Sequence, residues 1–283
     1  MQQKEQQPAR SQFDYIIDHA SRNDQMKVVI LAGGLGTRIS EESHLKPKPM
    51  IEIGEMPILW HIMKIYSHFG FDDFIICSGY KQYKIKEFFA NYDLYKNDTT
   101  FDFTKGGARK VHGSSIEPWK VTVVDTGYDT MTGGRIKRVA KYIDGDFMVT
   151  YGDGVSDIDL NALLSFHNKN KKVGTVTAIQ PGGRFGTLTI NKDNHVSDFS
   201  EKRKEDGGWI NGGFMVFKPD ILDLIDGDDT IFEREPLEKI TMCRELVAYK
   251  HAGFWQCMDT LRDKILLESL VEKGQAPWIR WTD

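Results

Sequence analysis

The chain has little cysteine. Its 283 residues hold three, Cys77, Cys243 and Cys257, an odd number without a C-x-x-C pair. That argues against a disulfide framework or a thiolate zinc site and for reduced, mostly buried thiols. Long apolar runs are lacking too. Nothing approaches the roughly 18 residues of a membrane span, and the N-terminal residues lack the apolar stretch of a signal peptide. Positive charge is not in excess: Lys and Arg number 37 against 41 Asp and Glu, a formal net charge of −4. A nucleic-acid-binding surface is therefore not expected, and any basic site must be local. Two well-known glycine loops also fail. A dinucleotide fingerprint G-x-G-x-x-G is met by Gly34 and Gly36 but not by Ile39, and no lysine follows Gly36 as a Walker loop requires. A nicotinamide-dependent oxidoreductase falls with the first of these, and no convincing Ser-His-Asp or Cys-His set stands in for it.

What is present is ordinary in bulk and specific in one place. The chain is 40% apolar and 28% charged, as soluble globular proteins are, and long enough for one elaborated α/β domain or two domains. The specific stretch is Lys27 to Met50, KVVILAGGLGTRISEESHLKPKPM. The short β-branched run Val28–Leu31 predicts a buried strand. It stops at Gly33-Gly34-Leu35-Gly36-Thr37-Arg38, where successive glycines let the backbone turn and aim N–H groups at one point. Arg38, Lys46 and Lys48 add positive charge, and Pro47 and Pro49 leave the lysines few backbone states. A plain turn needs neither the arginine nor the spaced Lys-Pro-Lys-Pro, so the stretch points to a phosphate cradle.

Residues 1–25 open with a glutamine-rich tract and carry no motif; they are expected to be a partly disordered appendage. From Met26 the pattern is strand, loop, helix, repeated. Pro57 stands at the start of a helix with Ile58, Ile62, Ile65 and Phe69 at helical spacing, closed by Gly70. His61 and His68 on it are assigned no chemistry. Strands are expected at Phe74–Cys77, Val121–Val124 and Phe147–Tyr151, and helices over 83–89 and 157–169. Residues 91–118 break the rhythm and predict a long irregular insertion, a lid or an oligomer contact. A second Gly-rich turn, Thr132-Gly133-Gly134-Arg135, precedes a helix expected to begin directly after the glycines at Ile136. Gly152-Asp153-Gly154 ends the strand at Tyr151. Asp153 is either a turn residue or a carboxylate at the crevice where open α/β sheets bind ligands. Beyond Val173 short strands at turn spacing suggest a more antiparallel half. There Glu201-Lys202 reads as a solvated charge run and Asn211-Gly212 as a turn. Asp259 precedes a last helix, expected to bury Leu261, Ile265, Leu266 and Leu270, and could be its N-cap.

Jointly, over residues 26–283, these features resemble the nucleotidyltransferases that activate sugar 1-phosphates. The Gly-Gly-x-Gly-Thr-Arg loop with its downstream Lys-Pro is the signature of that family. Narrower stretches (LKPKPMIEIGEMPILWHIMKIYSHFG, VDTGYDTMTGGRIKRV, TYGDGVSDID, INGGFMVF, GFWQCMDTLRDK) are similar to its glucose-1-phosphate cytidylyltransferase branch. The resemblance implies an α/β fold, a Rossmann-like, mostly parallel mixed sheet flanked by helices with a smaller β-rich sugar-binding portion. It implies a nucleotide-binding half over 26–172 and a sugar-phosphate-binding half with the C-terminal helix over 173–283.

For the site it implies that Leu31, Ala32, Gly33, Gly34, Leu35, Gly36, Thr37 and Arg38 hold the nucleotide together with Lys48, Thr126, Thr132, Gly133, Arg135, Gly152 and Asp153. Arg38 and Lys48 would face the charge that develops on the leaving pyrophosphate. Asp153 and Asp259 would bind Mg²⁺, and Arg135, Glu201, Lys202, Asn211 and Gly212 the sugar phosphate. CTP and glucose 1-phosphate are the implied substrates, in a cytoplasmic homo-oligomer without nucleic-acid or membrane partners. The family tends to continue Glu-Lys with proline; here Arg203 follows, in the loop that flanks the sugar. A non-catalytic nucleotide-sugar sensor on the same fold could lose either carboxylate freely, whereas this chain keeps Asp153, Asp259, Arg38 and Lys48.

Overall fold

The structure is a computed structural model that describes residues 26–113, 115–180, 186–190, 196–201 and 208–281. Among the described residues the main sheet has eight strands: β1 (Lys27–Ala32), β2 (Asp73–Ser78), β3 (Lys120–Asp125), β4 (Phe147–Tyr151), β5 (Gly174–Ile179), β6 (Ile210–Asn211), β7 (Met215–Phe217) and β8 (Leu246–His251). β4, β1, β2 and β3 lie side by side and parallel. β7 runs antiparallel between β4 and β5, β6 continues it along β5, and β8 closes the other edge of β5 in parallel. The mixed, mostly parallel sheet thus draws its first four strands from before residue 172 and its last four from beyond it.

Both faces of the sheet are covered, which is why β1 is apolar throughout rather than alternating. Val28, Ile30 and Ala32 pack with Ile58 and Ile62 of helix α1 (Ile58–Ser67) and with Leu163 of a helix at Leu160–Asn170. Val29 and Leu31, one residue out of phase, pack with Ile136 and Val139 of a helix at Thr132–Val139 and with Ile240 of a helix at Glu235–Met242. Each fully buried aliphatic side chain contributes roughly 1.5–3 kcal/mol by leaving water. In chain order the helices after α1 are α2 (Gln82–Ala90), α3 (Tyr92–Lys96), α4 (Thr132–Val139), α5 (Leu160–Asn170), α6 (Glu235–Met242) and α7 (Leu261–Glu272). Among the described residues no helix is long and apolar enough to cross a membrane.

Three sequence expectations need correction. The insertion at 91–118 is not irregular: it holds α3 and an antiparallel hairpin, Asp98–Asp102 with Ala108–His112, turned by Gly106 and Gly107 at positive φ. Helix α4 starts at Thr132, so Gly133 and Gly134 lie inside its first turn. Helix α7 buries Asp263 and Leu267, while Leu261, Ile265 and Leu266 of the expected stripe are exposed.

Candidate active site

Parallel pairing of β1 with β4 brings the ends of both strands to one edge of the sheet, where the two glycine turns meet. Gly152 donates its N–H to Leu31 O at 3.0 Å, and a Cβ on Gly152 would stand 3.0 Å from that oxygen and from Pro49 Cγ. Gly36 adopts φ +65°, a conformation that favours glycine, and its Ile39 neighbour closes a tight turn by donating to Gly36 O at 3.1 Å. A second tight turn begins at Pro47, with Met50 N donating to Pro47 O, and aims Lys48 across the opening.

Lys48 joins two distant parts of the chain. Its ammonium donates to Asp153 Oδ2 at 2.6 Å and to Asp259 Oδ1 at 2.5 Å. Burial by itself lowers the pKa of this lysine, but the two carboxylates outweigh it and the net direction is up. The meeting of the carboxylates is a consequence of backbone register. Gly154–Ser156 pairs antiparallel with Trp255–Cys257, and Met258 N donates to Asp153 O at 2.8 Å, which sets Asp259 beside Asp153. Asp259 is not the N-cap of α7. Thr260 is, in a capping box with Asp263, so the Asp259 carboxylate is turned to Lys48 instead. Cys257 lies close by, and burial together with Asp259 and Asp153 pushes its thiol up to about 11, which keeps it protonated and unreactive.

Arg135 is buried beneath the loop. Its guanidinium donates to Gly33 O (3.1 Å), Ser78 O (3.4 Å), Thr126 Oγ1 (2.8 Å), Gly127 O (2.8 Å) and Tyr128 O (3.2 Å). These oxygens lie at the end of β2 and in the turns after β1 and β3, so one side chain ties three strand ends together. The guanidinium is thus held by protein oxygens while it also borders the cavity beneath the glycine loop. Thr126 is likewise fully buried, its hydroxyl donating to Ser78 O at 2.7 Å. The α4 N-terminus is also engaged, because Gly133 and Gly134 both donate their N–H groups to Thr230 O. A Cβ on Gly133 would lie 2.7 Å from that oxygen, so close approach explains the glycine.

These groups surround a cavity of about 390 Å³, lined by Leu31 to Gly34, Gly36, Thr37, Lys48, Pro49, Thr130, Met131, Thr132, Arg135, Tyr151, Gly152, Asp153 and Asp259. Leu35 is exposed and does not line it. Asn211 lies on a neighbouring cavity of about 470 Å³ with Glu233, and Gly212 faces the protein, accepting from Trp255 Nε1 at 2.6 Å. The side chains of Arg38 and Glu201, and all of Lys202, lie outside the described residues. Glu233 escaped the sequence reading, as did Thr130, Met131 and Tyr151. Its carboxylate accepts from Thr132 Oγ1 at 2.6 Å and from Tyr151 OH at 2.7 Å, and Asn211 Nδ2 donates to the same tyrosine at 3.3 Å. Burial and the nearby Glu233 raise the pKa of Tyr151, so its hydroxyl stays a donor. A polar residue ending the buried strand β4 was the available signal for Tyr151; Glu233 had none.

Residues 27–261 match the nucleotidyl transferase family. The chain belongs to that family. It is 57% identical to the glucose-1-phosphate cytidylyltransferase of Salmonella typhimurium over 258 residues, which is 90% of this chain and 100% of that protein. It is 44% identical, with the same coverage, to the probable glucose-1-phosphate cytidylyltransferase of Bacillus subtilis. Solved structures share the fold. HddC from Yersinia pseudotuberculosis superimposes with a TM-score of 0.63 at 24% identity, covering 87% of this chain and 100% of its own. A UDP-glucose pyrophosphorylase complexed with UDP-glucose gives 0.64 at 16%, covering 88% and 99%.

Proposed function

We propose that this protein transfers a cytidylyl group from CTP to α-D-glucose 1-phosphate, forming CDP-glucose and pyrophosphate. The observation that carries the reading is the convergence of Lys48, Asp153 and Asp259 at the mouth of the glycine loop, in a chain 57% identical to a glucose-1-phosphate cytidylyltransferase.

In this reading a phosphate oxygen of the sugar 1-phosphate attacks the α-phosphorus in line. A new P–O bond forms, the bond to the β-phosphate oxygen breaks, and pyrophosphate leaves with the electron pair. The second pKa of a phosphate monoester is about 6, so the nucleophile needs no general base near neutrality. The task of the protein is to position two anions and neutralise their charge. N–H groups of Gly34 to Thr37 receive the triphosphate, and Lys48 and Arg38 counter the charge that builds on pyrophosphate. Tyr151 and Thr132, held by Glu233, form the wall between the nucleotide cavity and Asn211. Glu201, Lys202, Asn211 and Gly212 take the sugar phosphate.

Asp153 and Asp259 suit a hard divalent cation such as Mg²⁺, since two carboxylate oxygens converge on one point. Among the described residues no group of three or more His, Cys, Asp or Glu gathers as a metal cage. A metal with two protein carboxylates completes its shell from water and phosphate oxygens, the habit of Mg²⁺ at nucleotide sites. When bound it supplies charge neutralisation and orientation of the phosphates.

The wider setting belongs to the same proposal: a cytoplasmic enzyme that supplies CDP-glucose for a surface polysaccharide such as a lipopolysaccharide O-antigen containing deoxysugars, working as a homo-oligomer. Exposed Phe101 and Phe103 on the hairpin at 98–112 support the oligomer, because a two-stranded ribbon with bare aromatics is marginal alone. A panel of nucleoside triphosphates against several sugar 1-phosphates, followed by pyrophosphate release, tests the activity. CTP with glucose 1-phosphate should lead; a wide preference for UTP or dTTP would reject the cytidylyl assignment.

A further inference from the structure

The two carboxylates already hold a cation of the protein's own. The Lys48 side chain is 12% exposed, and its ammonium lies 2.6 Å from Asp153 Oδ2 and 2.5 Å from Asp259 Oδ1. Those oxygens can therefore be no farther apart than the sum of the two bonds, and the Lys48 charge sits where they converge. A divalent ion taking both oxygens needs that same point. Two cations at such separation repel strongly in a partly buried site, so they cannot occupy it together.

The lysine has somewhere else to go. Its Cβ stands 3.2 Å from the position a Cβ on Gly36 would take, so the side chain starts at the phosphate loop and leans across to the carboxylates. Gly34, Gly36 and Thr37 line the same cavity as its head group. The side chain is thus anchored beside the loop at its Cβ while its ammonium lies at the carboxylates.

We propose that Lys48 is a positioning residue that stands in for the metal. It holds Asp153 and Asp259 together in the nucleotide-free protein and exchanges with the divalent ion, its ammonium moving onto the triphosphate. The inference rests on the reading that Asp153 and Asp259 bind the metal. Its consequence is coupling: the triphosphate gives the displaced ammonium an anionic partner, so nucleotide and metal each strengthen binding of the other.

Mn²⁺ titrated into nucleotide-free protein, with loss of the free-ion EPR signal as the readout, tests this for wild type, Lys48→Met, Lys48→Arg and Asp153→Asn. Lys48→Met should bind Mn²⁺ about tenfold more tightly or better, since it removes the charge that competes for Asp153 Oδ2 and Asp259 Oδ1. Lys48→Arg keeps the charge and should stay weak, and a non-hydrolysable CTP analogue should tighten Mn²⁺ binding by wild type more than by Lys48→Met. Lys48→Gln carries the same comparison should Lys48→Met not fold. Equal Mn²⁺ affinity in wild type and Lys48→Met, both sensitive to Asp153→Asn, overturns the exchange and leaves the metal site standing. Mn²⁺ binding indifferent to Asp153→Asn overturns the metal reading and this inference with it.

Discussion

Arg135 fills the space in front of Gly33. A Cβ on Gly33 would overlap Nη1, Cζ and Nε of the guanidinium, and one on Gly79 would stand 2.6 Å from Nη1. Gly33 does not adopt a positive φ, so backbone conformation does not demand the glycine; the buried arginine does. The first glycine of the loop and an arginine 102 residues away are therefore one device, in which Arg135 Nη2 holds the Gly33 carbonyl and thereby aims the N–H groups that follow.

Gly33→Ala should displace the guanidinium and leave several buried carbonyls without their donor, each worth about 1–3 kcal/mol. We expect kcat/KM for CTP to fall roughly 100-fold, with a lower Tm, because a loop displaced by an ångström loses its hold on the triphosphate. Arg135→Ala should do similar damage. The discriminating measurement is the double variant, which should be little worse than the poorer single one, as residues sharing one contact are not additive. Fully additive losses would show that the two residues act separately.

Glu233 offers a second test. Its carboxylate ties Thr132 to Tyr151, two residues that line the cavity beneath the glycine loop, and itself borders the neighbouring cavity with Asn211. Glu233→Ala releases both hydroxyls and should lower kcat/KM by about tenfold, the effect of losing one or two hydrogen bonds to a charged partner. Glu233→Gln should be milder, since the amide oxygen still accepts from one hydroxyl and the other hydroxyl can accept from its NH₂ group. A Glu233→Ala effect that persists unchanged on a Thr132→Val, Tyr151→Phe background would assign the residue another task.

Lys202→Ala should raise KM for the sugar 1-phosphate far more than KM for CTP, because a lysine beside a phosphate acts as a point charge. Initial rates with each substrate varied in turn decide it, and equal losses for both would remove Lys202 from the sugar-phosphate site.

The loop after β1 was visible in the residues, because a strand buried on both faces is an uninterrupted apolar run that stops abruptly at glycine. Asp153 after β4, by contrast, read as either a turn residue or a crevice carboxylate and took its metal role from the family resemblance. The hairpin at 98–112 was not visible, since strands exposed on both faces carry no alternation to detect. The phase of α7 was lost for a related reason. Apolar residues stand all round it, so its inward side is chosen by the Thr260–Asp263 cap and by Leu267, which pattern alone does not mark. Arg135 shows the firmest limit. Four of its five partners are carbonyl oxygens, which every residue has, so no choice of partner residue announces the clamp.

Stability should also fall on mild acidification, through a histidine to which the sequence assigned no chemistry. His61 is buried on α1, with its Nε2 2.9 Å from Ile53 O and Nδ1 accepting from Trp278 Nε1 at 3.3 Å. That pairing fixes a neutral ring with the proton on Nε2, and burial lowers the pKa from 6.5 to about 4. The unfolded chain therefore binds a proton below about pH 6.5 that the folded protein refuses until about pH 4. Between those values the unfolded state holds more protons, so stability declines as pH falls and is constant with respect to this group above and below the window. At pH 5 the loss relative to pH 7.5 is about 2 kcal/mol from this ring. Urea unfolding at the two pH values, compared between wild type and His61→Gln, isolates it from the carboxylates that titrate in the same range. The variant should be less stable at pH 7.5 yet lose about 2 kcal/mol less on going to pH 5. An identical pH slope in both proteins would mean that His61 is protonated in the fold and that its contact with Trp278 is not the one described.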